Sequence, residues 1–307
     1  MREVLCIVNV AIIGAGAVGQ LTASFLAESG MSVTLVARRQ GQADELNAKY
    51  LTRVNVDGAK TVQKVVSTTN LKGLPQQDLI VIAVKYGQLQ ELYGQLSALP
   101  STVSLLFMQN GLAHYDEALR LPQKNIAFCS VSFGAQMIDQ STVQHRGVGV
   151  CKIAVERGNS GAFNDLLQLK NSLFPFELVA NAEQMLFEKA VFNCLINPLT
   201  AILQVRNGEL VTNKQAFLLM QTIYQELTEA FDGIEQAIPF LKVIELCEKT
   251  ASNTSSMLAD RIHGRKSEID TIVGVILEKA LANGHDLPTL RTLYHQVLAI
   301  EESGERR

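Results

Sequence analysis

The chain has 307 residues, 27 Lys and Arg against 30 Asp and Glu, a formal net charge of −3, 47% hydrophobic and 6% aromatic residues, and no Trp. Its length predicts two domains and its composition suits α/β packing. A weakly acidic balance without a basic block excludes an electrostatic footprint for nucleic acid or an anionic membrane surface.

Cys6, Cys129, Cys151, Cys194 and Cys247 show no C-x-x-C and no metal-ligand spacing. Reduced thiols in a cytoplasmic protein are expected, with neither a disulfide framework nor a metal site. No apolar run is expected to reach the roughly 18 residues of a membrane helix. The opening Met1-Arg2-Glu3 and apolar residues 4–13 lack a cleavage site and lead into a glycine-rich turn, so they read as a strand rather than a signal peptide. Residues 1–7 are expected to be an extension, with Val8 the natural start.

In chain order, residues 8–13 predict a buried strand, 19–29 a helix and 33–37 a second strand. Residues 78–84 and 103–108 are two further continuous apolar runs, the pattern of parallel strands covered on both faces. Residues 128–137 and 143–155 alternate and flank Asp139-Gln140-Ser141, predicting an antiparallel extension of the same sheet. Past residue 180 the pattern turns helical, over 183–203, 214–232 and 269–282. In the last, Ile269, Ile272, Val273, Ile276 and Ala280 form one stripe, Ser267 and Asp270 predict a capping box, and Gly284 and Pro288 mark the end. The expected architecture is an α/β Rossmann domain with a mostly parallel sheet over 1–180 and an all-α domain over 181–307.

Gly14-Ala15-Gly16-Ala17-Val18-Gly19 follows the first strand. In such a turn the first glycine permits the tight bend, the second lets the backbone approach a pyrophosphate, and the third lets helix and strand pack closely. An NAD or FAD site would place an acid at the end of the second strand, but the sequence there is Leu35-Val36-Ala37-Arg38-Arg39 and the first acid is Asp44. NADPH is therefore the expected cofactor, with Arg38, or alternatively Arg39, forking onto the 2′-phosphate. Lys85, Gln88 and Asn110-Gly111 follow the other apolar strands, where they are either cofactor contacts or loop residues.

Lys189, Asn193 and Asn197 recur at i, i+4 and i+8 in an otherwise apolar helix, with Pro198 next. Either they face a ligand carrying a carbonyl, carboxylate or hydroxyls, or they form a solvated stripe. Hydride addition to a ketone needs a proton donor at the carbonyl oxygen, and Lys189 is the best candidate. His145 and His263 read as structural.

With these residues in hand the chain resembles the ketopantoate reductases (2-dehydropantoate 2-reductases) from residue 8 to about 303. The shared blocks are NVAIIGAGAVG, VKYGQ, QNG, HRGVG, EKAVFNCLINPLTAI with NGEL, and SSMLADRIHGRKSEIDTIVG. The resemblance implies a helical domain of the 6-phosphogluconate-dehydrogenase-like type and reduction of ketopantoate to (R)-pantoate, on the route to pantothenate and coenzyme A. It also implies catalytic roles for Lys189 and Glu268, and substrate contacts from Asn110, Asn193, Asn197 and Ser256. Gly14 to Gly19, Arg38, Lys85, Gln88, Asn110 and Glu268 are expected to contact NADPH. The protein is expected to be a monomer or homodimer, bound to neither nucleic acid nor membrane. Two alternatives share the plan: a β-hydroxyacid or 6-phosphogluconate-type dehydrogenase, and an NADP-sensing protein without turnover.

Overall fold

Four continuous apolar runs become four neighbouring parallel strands in the computed structural model, which describes residues 8–72 and 74–304. The expected extension over residues 1–7, with Cys6, lies outside the described residues. The chain divides into two compact units, Met1–Gln109 with His114–Met185, and Asn110–Ala113 with Leu186–Arg307.

In the first unit the strands are β1 (Asn9–Ile13), β2 (Ser32–Val36), β3 (Leu51–Val54), β4 (Lys60–Gln63), β5 (Val66–Thr68), β6 (Leu79–Ile82), β7 (Ser104–Phe107), β8 (Ile126–Val131), β9 (Gly134–Met137), β10 (Thr142–Gly147), β11 (Cys151–Arg157) and β12 (Phe176–Val179). An eight-stranded sheet runs β12-β11-β8-β7-β6-β1-β2-β5. The six strands from β5 to β8 are parallel, and β11 joins β8 antiparallel. Residues in β6 and β7 are buried throughout, as their continuous apolar sequence requires.

The predicted antiparallel extension needs correction. β8 and β11 do extend the large sheet, but β9 and β10 leave it and build a separate sheet, β4-β3-β10-β9. The switch occurs where backbones cross: a Cβ on Gly149 would stand 2.3 Å from the Ser132 carbonyl carbon and oxygen. Glycine is what lets the two segments pass.

Helix α1 (Ala17–Glu28) contacts strands of both sheets, so residues 19–26 are buried without a break. Its Phe25 stacks on Phe174 at 4.5 Å and lies 3.7 Å beneath the guanidinium of buried Arg53, which pairs with Glu28 at 2.8 Å. The remaining helices of this unit are α2 (Gln40–Lys49), α3 (Tyr86–Ser97), α4 (Tyr115–Leu119) and α5 (Asn164–Leu167).

From α6 (Ala182–Leu203) onward the chain is helical: α7 (Glu209–Thr212), α8 (Lys214–Ala230), α9 (Ile234–Ala237), α10 (Phe240–Lys249), α11 (Ser256–Ile262), α12 (Val275–Ala282) and α13 (Pro288–Gly304). Helix α8 buries Ala216, Met220, Ile223, Leu227 and Ala230, a stripe at helical spacing, and Asn213 caps it by accepting from the Gln215 and Ala216 amides.

Two sequence expectations change here. Helix α6 has 22 residues and a mean hydropathy of 1.3, long and apolar enough to span a membrane by composition, and 61% of its apolar window is buried within the protein. Its length comes from serving as a core helix. The helix predicted over 269–282 splits into a π-helical turn, Asp270–Gly274, and α12. The capping box also fails: Ser267 accepts from the Ile269 amide, while Asp270 turns to the Tyr294 hydroxyl at 2.7 Å. The apolar stripe itself is intact, with all five members buried.

Candidate active site

The glycine turn joins β1 to α1, and each glycine has a separate geometric reason. Gly14 has φ +116°, and a Cβ there would stand 2.8 Å from the Ala83 carbonyl. A Cβ on Gly19 would sit 1.8 Å from the Gly14 oxygen, so only glycine lets α1 pack onto the turn. Gly16 differs: nothing lies within 4 Å of where its Cβ would be. It is the N-cap of α1, with no side-chain cap and no acid in the first turn. An uncapped, acid-free helix start beside open space fits a dinucleotide pyrophosphate.

Other expected cofactor residues lie at the carboxyl ends of neighbouring strands. Ala15, Ala17 and Val18 complete the turn and begin α1. Arg38 and Arg39 are exposed just past β2, with no acid before Asp44. Lys85 is exposed at the N-cap of α3, and half-buried Gln88 lies in that helix's first turn. The residues present therefore fit a phosphorylated dinucleotide. Gln109, not singled out by sequence, is buried and donates to the Ile82 and Val84 carbonyls at 3.0 Å each, tying the end of β6 to that of β7. A cavity of about 530 Å³ at the opposite, amino-terminal edge of the sheet, lined by Val8, Asp78, Ser104 and Phe163, holds none of the candidate residues.

The second unit gathers the remaining candidates. Lys189, Asn193 and Asn197 stand on successive turns of α6; Lys189 and Asn193 are half-buried and Asn197 is buried. Asn197 Nδ2 donates to Ser256 Oγ at 3.5 Å. Ser256 is an exposed first-turn residue, and the cap of α11 is its neighbour Ser255, which accepts from the Leu258 amide at 3.1 Å and bonds the Thr200 hydroxyl at 2.7 Å. A buried hydroxyl pair thus fixes α11 against α6.

Asn110 Nδ2 donates to Glu268 Oε2 at 3.0 Å. Behind this bond the backbones dock: the Leu112 amide donates to the Thr271 carbonyl at 3.2 Å, and Gly111 has φ +78° with space for a Cβ only 2.0 Å from that oxygen. The π-helical turn therefore forms where a second segment rests on its carbonyl, consistent with the occurrence of such turns at functional positions. Helix α13 braces the loop on both sides of Glu268. Glu301 accepts from the Ser267 amide at 2.9 Å, and Tyr294 donates to Asp270. Burial, and then the Asp270 bond, push the Tyr294 phenol up to about 12, so it stays a donor at neutral pH.

His145 and His263 are the histidines expected to be structural. His145 is buried edge-on to Phe25, and exposed His263 contacts the Ala259 carbonyl. His114, which sequence gave no reason to notice, is fully buried against Phe107 and Phe128, and burial lowers its pKa to about 3.

Comparison with known proteins supplies the family. The model described as Ketopantoate reductase PanE/ApbA matches residues 10–157, and the one described as Ketopantoate reductase PanE/ApbA C terminal matches residues 181–301. The 2-dehydropantoate 2-reductase of Listeria monocytogenes is 39% identical over 295 residues, covering 95% of this chain and 97% of that protein. The crystal structure of a "Probable 2-dehydropantoate 2-reductase" from Bacillus subtilis is similar at a TM-score of 0.84 and 32% identity, over 95% of this chain and all of that one. The ternary structure of D-mandelate dehydrogenase with NADH and anilino(oxo)acetate is similar at a TM-score of 0.85 and 25% identity, over 97% and 99% of the two chains. Matched by both family models across its Rossmann and helical parts, the chain belongs to the ketopantoate reductase family.

Proposed function

We propose that this oxidoreductase reduces 2-dehydropantoate to (R)-pantoate with NADPH, the step that supplies pantoate to pantothenate and coenzyme A biosynthesis. The observation that carries the reading is the Asn110–Glu268 hydrogen bond at 3.0 Å, which unites two residues of the family pattern lying far apart in sequence. Residues 1–180 form the cofactor domain in this reading and 181–307 the substrate domain. Reduced cysteines support a cytoplasmic enzyme, since Cys129, Cys194 and Cys247 are free and buried. Its working form is a monomer or a homodimer, and neither membrane nor nucleic acid takes part.

NADPH, when bound, supplies a hydride to the C2 carbonyl carbon. Negative charge then develops on the carbonyl oxygen, and Lys189 delivers its Nζ proton there, so an O–H bond forms as an N–H bond breaks. Glu268 orients the lysine and the substrate. Ser256 and Asn110 bind the substrate carboxylate, while Asn193 and Asn197 hold its terminal hydroxyl. On the cofactor side, Arg38, with Arg39 as the alternate, forks onto the 2′-phosphate. Gly14 to Gly19 receive the pyrophosphate, and Lys85, Gln88, Asn110 and Glu268 complete the contacts.

A second reading, favoured by the likeness to D-mandelate dehydrogenase, is reduction of a different 2-keto acid with NADH. Steady-state oxidation of NADPH and of NADH against ketopantoate and phenylglyoxylate separates the two. Ketopantoate with NADPH is expected to give the highest kcat/KM, and Lys189→Ala to lower kcat about 100-fold or more. Preference for phenylglyoxylate with NADH, or near-normal turnover by the folded Lys189→Ala variant, overturns the proposal.

A further inference from the structure

Two buried glutamines close a square of hydrogen bonds beneath the glycine turn. Gln20 Nε2 donates to the Ala15 carbonyl at 3.1 Å and to the Gln140 carbonyl at 2.9 Å. Gln42 Nε2 donates to the same two oxygens, at 2.8 and 3.2 Å. Two amide groups offer four N–H donors and the two carbonyls four lone pairs to receive them. Gln20 Nε2 also reaches Met137 Sδ at 3.8 Å, and Gln20 Oε1 is buried without a partner among the described residues. Gln20 is fully buried and Gln42 only 7% exposed, so water does not compete for these bonds.

The square fixes more than a carbonyl. In a trans peptide the N–H points opposite to the C=O, and the chain has no cis peptide bonds among its described residues. Holding the Ala15 oxygen toward the glutamines therefore turns the Gly16 N–H away from them, at the helix start where a Cβ on Gly16 would meet nothing within 4 Å. Gln42 also lies in the first turn of α2, directly after Arg38 and Arg39, and its own amide donates to the Arg39 carbonyl at 3.1 Å. One residue thus joins the phosphate turn to the arginine segment. The Gln140 carbonyl comes from the turn between β9 and β10, so the small sheet braces the same point.

We propose that Gln20 and Gln42 are positioning residues for the dinucleotide. They aim the Ala15–Gly16 peptide at the pyrophosphate, and Gln42 sets the distance from that peptide to the arginines that read the 2′-phosphate. The proposal rests on the NADPH reading above. It predicts a binding defect that chemistry does not share.

The test compares wild type with Gln20→Leu and Gln42→Leu, with Gln42→Met as a second variant should the first not fold. Fluorescence titration gives Kd for NADPH and NADH, ³¹P NMR gives the pyrophosphate resonances of bound NADP⁺, and steady-state assays give kcat and KM. Gln42→Leu is expected to raise Kd for NADPH about tenfold, NADH being less affected, and to move the bound pyrophosphate resonances. Its kcat at saturating NADPH should stay within about twofold of wild type, a split that a merely structural defect would not produce. Wild-type binding with unchanged Kd and unchanged ³¹P spectra in folded variants overturns this proposal alone. Failure of the wild type to bind NADPH overturns the cofactor reading and this proposal with it.

Discussion

Asn110 and Glu268, 158 positions apart in the chain, meet in one hydrogen bond, the Asn110 amide donating to the Glu268 carboxylate at 3.0 Å. A carboxylate acceptor makes such a bond shorter and stronger than one between neutral groups. Glu268→Gln keeps the shape but removes the charge, and Asn110→Ala removes the donor. Both are expected to lower kcat with ketopantoate by about tenfold to 100-fold, with thermal midpoints close to wild type. Steady-state kinetics beside calorimetry checks this; a loss of activity that only tracks a loss of stability would refute it.

The backbone behind that bond is less forgiving. At Gly111 a Cβ would stand 2.0 Å from the Thr271 oxygen, at a φ of +78°. Gly111→Ala is therefore expected to destabilise the protein by at least about 2 kcal/mol, from strained backbone and steric overlap together. Its activity should fall further than the stability loss alone implies, because Asn110 is carried away with the segment. Urea denaturation and turnover below the transition measure the two effects separately.

The buried His114 predicts an acid-side instability. Its pKa is lowered to about 3 by burial, against about 6.5 in an unfolded chain. The unfolded state therefore binds the proton first, and stability present above pH 6.5 is lost as pH falls toward 3. At pH 5 the single-site loss is roughly 2 kcal/mol. His145, also lowered by burial, adds to the slope in the same direction. His114→Phe is expected to flatten the dependence of the thermal midpoint on pH between 5 and 7; an unchanged slope would exclude His114 as a source.

Cofactor choice is expected to turn on the exposed arginines beyond β2. Arg38→Ala should raise KM for NADPH about tenfold or more while leaving KM for NADH nearly unchanged. If Arg39→Ala gives that pattern instead, the 2′-phosphate is read one residue later. Parallel cofactor titrations of the two variants decide between them.

Much of the framework was legible because it rests on patterns of fixed period. The apolar runs over 8–13, 33–37, 78–84 and 103–108 have the pattern of covered strands, and they form four adjacent ones. Lys189, Asn193 and Asn197 could be placed on one helix because spacing alone defines the face. The small sheet was harder to read, since its strands are short and β9 and β10 continue in sequence from strands of the other sheet. One signal for it was available: Asp57-Gly58 between β3 and β4 is a hairpin turn pair, and Gly58 has φ +86°. Glu268 and Ser256 had no local signature and came from the resemblance. Gln20, Gln42 and Gln109 could not be read at all, because a glutamine's worth depends on which distant carbonyls it reaches. The π-helical turn was hidden for the same reason, its cause being a segment some 160 residues earlier.

That separation also sets an order of events during synthesis. The segment Asn110–Ala113 emerges from the ribosome between β7 and α4, yet its partners Glu268 and Thr271 follow only after about 155 more residues. At about 5–20 residues per second, the nascent Rossmann sheet waits on the order of ten seconds or more with this stretch undocked. Gly111 lets the late-arriving turn settle onto a backbone that has no side chain in the way. Helix α13, translated later still, then closes around Glu268 with Tyr294 and Glu301. The Asn110–Glu268 pair is in this sense a late product of folding, braced only after α13 has followed it from the ribosome.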